Sequence, residues 1–179
     1  MRNTNLNHSE QSTDKKTEKP LYIAPMAQFV PLIEESLALG KNVNFSPRGV
    51  SMLPMLRQGV DSVTLSPVTS HLKKYDIPLY KRDNGRYILH RVVKRKGDTY
   101  TCIGDNQYKK EEGVKHESII AVVSAFTRDD KTHSVNELGY RLYCRFWCGT
   151  RFIRRIFSAL KRRAGKMLRL AKSKFKNKR

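Results

Sequence analysis

Ile77-Pro78-Leu79-Tyr80-Lys81-Arg82-Asp83-Asn84-Gly85-Arg86-Tyr87-Ile88-Leu89-His90-Arg91-Val92-Val93-Lys94 is the stretch that decides the fold. Two runs rich in β-branched and aromatic residues flank Asp83-Asn84-Gly85. Asn-Gly between such runs signals a tight hairpin, because its central residues need positive φ. The reading is a strand over 77–82, a turn, and a strand over 86–94. Side chains alternate along a strand, so His90 is expected on one face with Ile88 and Val92, and Arg91 on the other with Leu89 and Val93.

Outward from this hairpin, short strands and turns continue in both directions. Val43 and Phe45 suggest a strand that ends at Ser46-Pro47-Arg48-Gly49, and Gln58-Gly59 precedes another over 60–65. Lys96-Gly97-Asp98 leads into a strand over 99–103, and 119–126 is a strongly apolar strand. Residues 24–39 read as a helix with Phe29, Leu32, Ile33, Leu37 and Leu39 on its apolar side, Pro31 in its first turn and Gly40 as its stop. The fold class is therefore mainly β. The polar residues 1–20 read as disordered. Residues 21–135 form a compact β domain with its leading helix, and 136–179 form a basic amphipathic helical tail.

The chain has 179 residues and a net charge of +20. Between Arg141 and Arg179 stand fifteen Lys and Arg and no Asp or Glu. Leu142, Phe146, Ile153, Ile156, Leu160, Ala164, Met167 and Ala171 recur there at helical steps, with Gly149 and Gly165 as candidate breaks. Such a tail seeks phosphate. Its aromatics and apolar stripe favour an anionic membrane surface over nucleic acid, with Trp147, Arg151, Arg154, Arg155, Lys161, Arg162 and Arg163 as the expected contacts and Phe152 and Phe157 entering the interface. Part of the stripe is an alternative packing surface for the β core. The first twenty residues lack the apolar segment of a secretory signal, and no apolar run reaches the roughly eighteen residues of a membrane span. The expected location is cytoplasmic, peripheral at the membrane face.

Three cysteines, Cys102, Cys144 and Cys148, have no disulfide-framework spacing. They read as small apolar residues. Nothing in the sequence calls for a metal or a cofactor.

Three short blocks carry possible chemistry. Ser51 lies in Gly49-Val50-Ser51-Met52-Leu53-Pro54-Met55-Leu56, a turn bounded by Gly and Pro. His90 lies in Leu89-His90-Arg91-Val92-Val93, and a neutral imidazole with pKa near about 6.5 can accept a serine proton. Asp105 ends the next strand in Ile103-Gly104-Asp105-Asn106, where a carboxylate can orient an imidazole. Each block alone is ordinary turn or core chemistry.

Together, in this order and spacing, Ser-Met-Leu-Pro-Met-Leu, Tyr-Asp-Ile-Pro-Leu-Tyr, Leu-His-Arg-Val-Val and Ile-Gly-Asp-Asn resemble type I signal peptidases, which share a β fold with self-cleaving SOS-type repressors. The resemblance covers about residues 45–123. Histidine in the base position places it with the endoplasmic-reticulum and spore-former branch rather than with lysine-type members. Lys94, on the expected His90 face, is the alternative base. Its neighbourhood is rich in Arg and Lys, which favours His90.

The resemblance implies a serine endopeptidase that cuts a leader or signal-like segment of a peptide or precursor protein, with small residues before the cut. Ser51 would be nucleophile, His90 general base and Asp105 orienting acid, while Ser51, Gly49, Met52 and Pro54 would form the oxyanion and substrate-binding side. Two positions depart from the family. Gly49 stands where bacterial members carry a hydroxyl donor. A second aspartate that histidine-type members place after Gly-Asp-Asn is missing, with Glu111 or Glu112 as the candidate substitute. A membrane anchor is absent as well. The alternative function is a non-catalytic, repressor-like regulatory module whose basic tail binds membrane or nucleic acid.

Overall fold

The computed structural model describes residues 26–160 and residue 163. The disorder expected for 1–20, the tail positions Lys161 and Arg162, and the stripe beyond Leu160 lie outside the described residues. Helix α1 (Met26–Ala38) leads into β1 (Val43–Phe45), β2 (Ser62–Ser66), β3 (Pro78–Lys81), β4 (Tyr87–Leu89), β5 (Arg91–Lys96), β6 (Thr99–Ile103), β7 (Glu111–Lys115), β8 (Ile119–Arg128), β9 (Lys131–Ser134) and helix α2 (Leu138–Gly149). The architecture is mainly β with helices at both ends.

Two antiparallel sheets organise the domain. In the larger, long β8 is central: β2 and then β1 lie on one side, β3 and then β4 on the other, with β9 also paired to β8. The smaller sheet runs β5-β6-β7. The expected turn at Asp83-Asn84-Gly85 closes the β3–β4 hairpin, with Gly85 at φ 77° and Arg82 N–H bonded to Arg86 O at 2.8 Å.

The expected strand over 86–94 is in fact two. The chain leaves the large sheet after Leu89 and enters the small one at Arg91, with His90 at the crossing. Alternation consequently fails: His90, Arg91 and Val92 are buried in succession. A register shift between Val92 and Lys94 then leaves Lys94 exposed. Strands β7 and β9 have no sequence signal, since Glu-Glu-Gly-Val-Lys and Lys-Thr-His-Ser carry no apolar alternation.

Helix α1 buries Val30, Ile33 and Leu37, whereas Phe29, Leu32 and Leu39 are exposed, and Pro31 lies inside the described helix. The main core joins Ile33 and Leu37 to Val63, Leu65, Leu79, Val123 and Phe126 of the large sheet. Met52, Met55 and Leu56 from the Ser51 loop belong to this same core. Burying each such side chain contributes about 1.5–3 kcal/mol, so the loop is tied down by its apolar residues. All three cysteines are free thiols, with Cys102 and Cys144 buried.

Candidate active site

The Ser51 loop is built from its own sequence. Gly49 has φ 92°, a conformation that favours glycine, and its N–H donates to Gln58 Oε1 at 2.8 Å. Three residues on, Met52 anchors the core side of the turn at 4% exposure, and Leu56 N–H closes onto Met52 O at 3.0 Å. Ser51 stays half-buried. A second segment braces it: Asn106 N–H donates to Ser51 O at 2.8 Å and Asn106 Nδ2 to Val50 O at 3.1 Å.

Gly104 sets the closest approach. A Cβ built on it would stand 3.1 Å from Ser51 Cβ and 3.1 Å from His90 Nε2, and 2.6 Å from Ser51 O. Ser51 Cβ and His90 Nε2 thus both lie close to one point beside Gly104, where any side chain would collide with Ser51 O. Among the described residues no hydrogen bond joins the Ser51 hydroxyl to the ring. In substrate-free enzymes such bonds are often long and tighten in the complex. Ser51 N–H has no acceptor among the described residues and is free to donate.

The other ring nitrogen, His90 Nδ1, lies 2.9 Å from Glu111 Oε1 and 3.4 Å from Tyr80 Oη. Glu111 opens β7, opposite Cys102 on β6, and Arg82 grips it through a fork whose Nε–Oε2 arm is 2.7 Å. Burial pushes the Glu111 carboxyl up. Arg82, the Tyr80 hydroxyl and His90 together outweigh that and hold it below the usual range, so it is ionised. An ionised acceptor at Nδ1 fixes the proton there and leaves the lone pair on Nε2, the nitrogen that lies near Gly104. Burial is also the largest influence on His90 itself. It lowers the imidazole below its ordinary value, helped by Arg82 and opposed by Glu111. A neutral ring at neutral pH can accept a proton.

Asp105 does not fill the role expected of it. Its carboxylate takes a two-pronged pair from Arg91, with Nε–Oδ1 at 2.8 Å and Nη2–Oδ2 at 2.6 Å, and both side chains are fully buried. Arg91 follows His90 in sequence and captures the carboxylate that sequence reasoning gave to the histidine. Glu111 stands at His90 instead, and Glu112 is exposed. Lys94, being exposed, is no candidate base.

Beside Ser51 is a small recess of about 80 Å³ walled by Pro47, Gly49, Met52, Leu56, Tyr87 and Leu89. Met52 and Gly49 line it as expected, but the Gly49 amide is already bonded to Gln58 and is not a free oxyanion donor. Pro54 is exposed, lies off the recess, and its carbonyl accepts from Arg128 Nη1 at 2.8 Å. Larger hollows exist, such as one lined by Val93, Thr101, Tyr108, Arg151 and Phe152, but they include neither Ser51 nor His90.

Three residues expected at a membrane surface turn inward instead. Trp147 Nε1 donates to Asp105 O at 3.1 Å, and Arg151 Nη1 donates to Gly104 O at 3.1 Å and Gln107 O at 3.0 Å. The Arg154 guanidinium lies 3.5 Å over the Trp147 ring centre. Arg155 and Arg163 are exposed.

No protein-family model matches the chain, and no curated protein matches it. Among the described residues no group of three metal-binding side chains converges, and no helix is long and apolar enough to cross a membrane.

Proposed function

We propose that the protein is a serine endopeptidase, similar to histidine-type signal peptidases, in which Ser51, His90 and Glu111 carry the chemistry. The observation that carries this reading is the arrangement around Gly104: Ser51 Cβ and His90 Nε2 both lie close to one point beside it, while Glu111 sits at Nδ1. Ser51 Oγ attacks the peptide carbonyl carbon as its proton passes to His90 Nε2. The carbonyl oxygen becomes an oxyanion that the Ser51 N–H faces. Collapse breaks the C–N bond, and Nε2 returns the proton to the leaving amine. Water, deprotonated by the same nitrogen, then hydrolyses the Ser51 ester.

The substrate is an extended peptide with a small side chain next to the cut, a segment of leader or signal type. The small recess beside Ser51 supports the size limit. β4 is a terminal strand of its sheet and supplies Tyr87 and Leu89 to that recess, so a peptide added along this edge would present its carbonyl to Ser51. The proposed location is peripheral, at the cytoplasmic face of a membrane. The reading is tested with a quenched peptide bearing alanines before the cut: Ser51→Ala and His90→Ala each remove turnover while circular dichroism is unchanged. Full turnover by both variants contradicts it.

A further inference from the structure

The C-terminal helix has two faces, and the described contacts assign only one of them. Tyr140, Cys144, Trp147, Arg151 and Arg154 point at the domain, on the steps of three and four that mark a single helical face. The helical path continues past Thr150, with Thr150 N–H bonded to Phe146 O at 2.9 Å and Arg154 N–H to Thr150 O at 3.0 Å. Residues 151–160 are helical. On the opposite side Leu142, Phe146, Ile153, Ile156, Phe157 and Leu160 are between 45% and 68% exposed. Large apolar side chains are normally scattered singly on a surface; a contiguous row marks an interaction site. At about 100° per residue, Arg141 and Arg145 fall along one flank of this row, and both are exposed.

We propose that this outward face, and not Trp147, Arg151 or Arg154, is a docking surface for an anionic lipid bilayer. Charge complementarity selects the occupant. Positions 141–179 contain fifteen Lys and Arg and no acid, so every charged side chain on the segment that carries the apolar row is positive. A second copy would bring another +20 and repel it. Anionic headgroups satisfy the arginines while the acyl boundary takes up Phe146, Ile153 and Phe157, which is how interfacial helices lie in a membrane. The inward face grips the backbone of Gly104, Asp105 and Gln107, so docking would hold the Ser51 site at a set distance from the bilayer. The docking claim itself needs no catalysis.

The test is sedimentation of the full chain with phosphatidylcholine vesicles, with and without phosphatidylglycerol. Binding is expected only with phosphatidylglycerol, and identically for Ser51→Ala, which separates this claim from the catalytic one. Phe146→Ser combined with Phe157→Ser should weaken binding roughly a hundredfold, at about tenfold or more per buried apolar side chain. Trp147 is the only tryptophan. Brominated phospholipids should therefore leave its fluorescence unchanged and quench that of Phe157→Trp. Equal binding to neutral vesicles, undiminished binding by the double serine variant, quenching of Trp147, or binding to duplex DNA with none to vesicles would each overturn the proposal.

Discussion

Arg91 and Asp105 form a two-pronged ion pair with neither side chain reaching solvent. Arg91 also donates to Tyr75 O at 3.1 Å and Tyr140 Oη at 2.7 Å, and it contacts the sulfurs of Cys144 and Met55 at 3.0 Å. The pair thus joins the small sheet, the segment beside Ser51, the Ser51 loop and helix α2. Burial alone would disfavour the guanidinium charge, but Asp105 more than restores it. Removing one partner strands the other charge in the interior, which costs about 3–5 kcal/mol. Asp105→Ala is therefore expected to lower the urea midpoint by that equivalent. A stability unchanged within error would show that the pair is not structural.

Glu111→Gln separates positioning from stability. It removes the charge that fixes the His90 tautomer, and kcat/KM should fall by about 10²–10⁴-fold. Glu112→Gln, at an exposed position, should leave both activity and stability near those of the unaltered protein. Equal losses in the two variants would remove Glu111 from its proposed role.

Sequence legibility differed between these two carboxylates for a physical reason. The alternation rule assumes one continuous strand, and His90 is where the chain changes sheets. That break put Arg91 in the path of Asp105. It also left Glu111, on a strand without apolar alternation, indistinguishable from Glu112. The Ser51 block and the hairpin at Asp83-Asn84-Gly85 were legible because turn chemistry is local. In the tail, periodicity revealed two faces but not which one the domain covers. Sequence periodicity therefore reads Trp147 and Arg151 as outward, whereas Trp147 bonds Asp105 O.

The pH dependence has a definite sign. His90 is lowered in the folded protein, chiefly by burial, so the neutral ring is the favoured form. The acid limb of kcat/KM should lie below the ordinary histidine value of about 6.5. The stability contributed by neutral His90 is present above that value and is lost as pH falls from it through the lowered folded pKa. Arg82 opposes protonation of the ring, so Arg82→Gln should move the acid limb upward. A limb that stays in place would exclude this coupling.

Gly104→Ala tests the close approach. The added Cβ would meet Ser51 O at 2.6 Å, a backbone atom held by Asn106, so the Ser51 loop and the imidazole must separate. Displacements of about 1 Å at reacting atoms cost on the order of 10²-fold. The expected result is that loss in kcat with a cooperative fold retained. An unchanged kcat would contradict the geometry.

The most direct measurement is cleavage of a diverse synthetic peptide pool, with cut sites identified by mass spectrometry and the acyl-enzyme sought by rapid acid quench. The expected result is cuts after small residues, a transient adduct on Ser51, and loss of both in Ser51→Ala and His90→Ala. No cuts by the unaltered protein, or cuts that persist in Ser51→Ala, would contradict it.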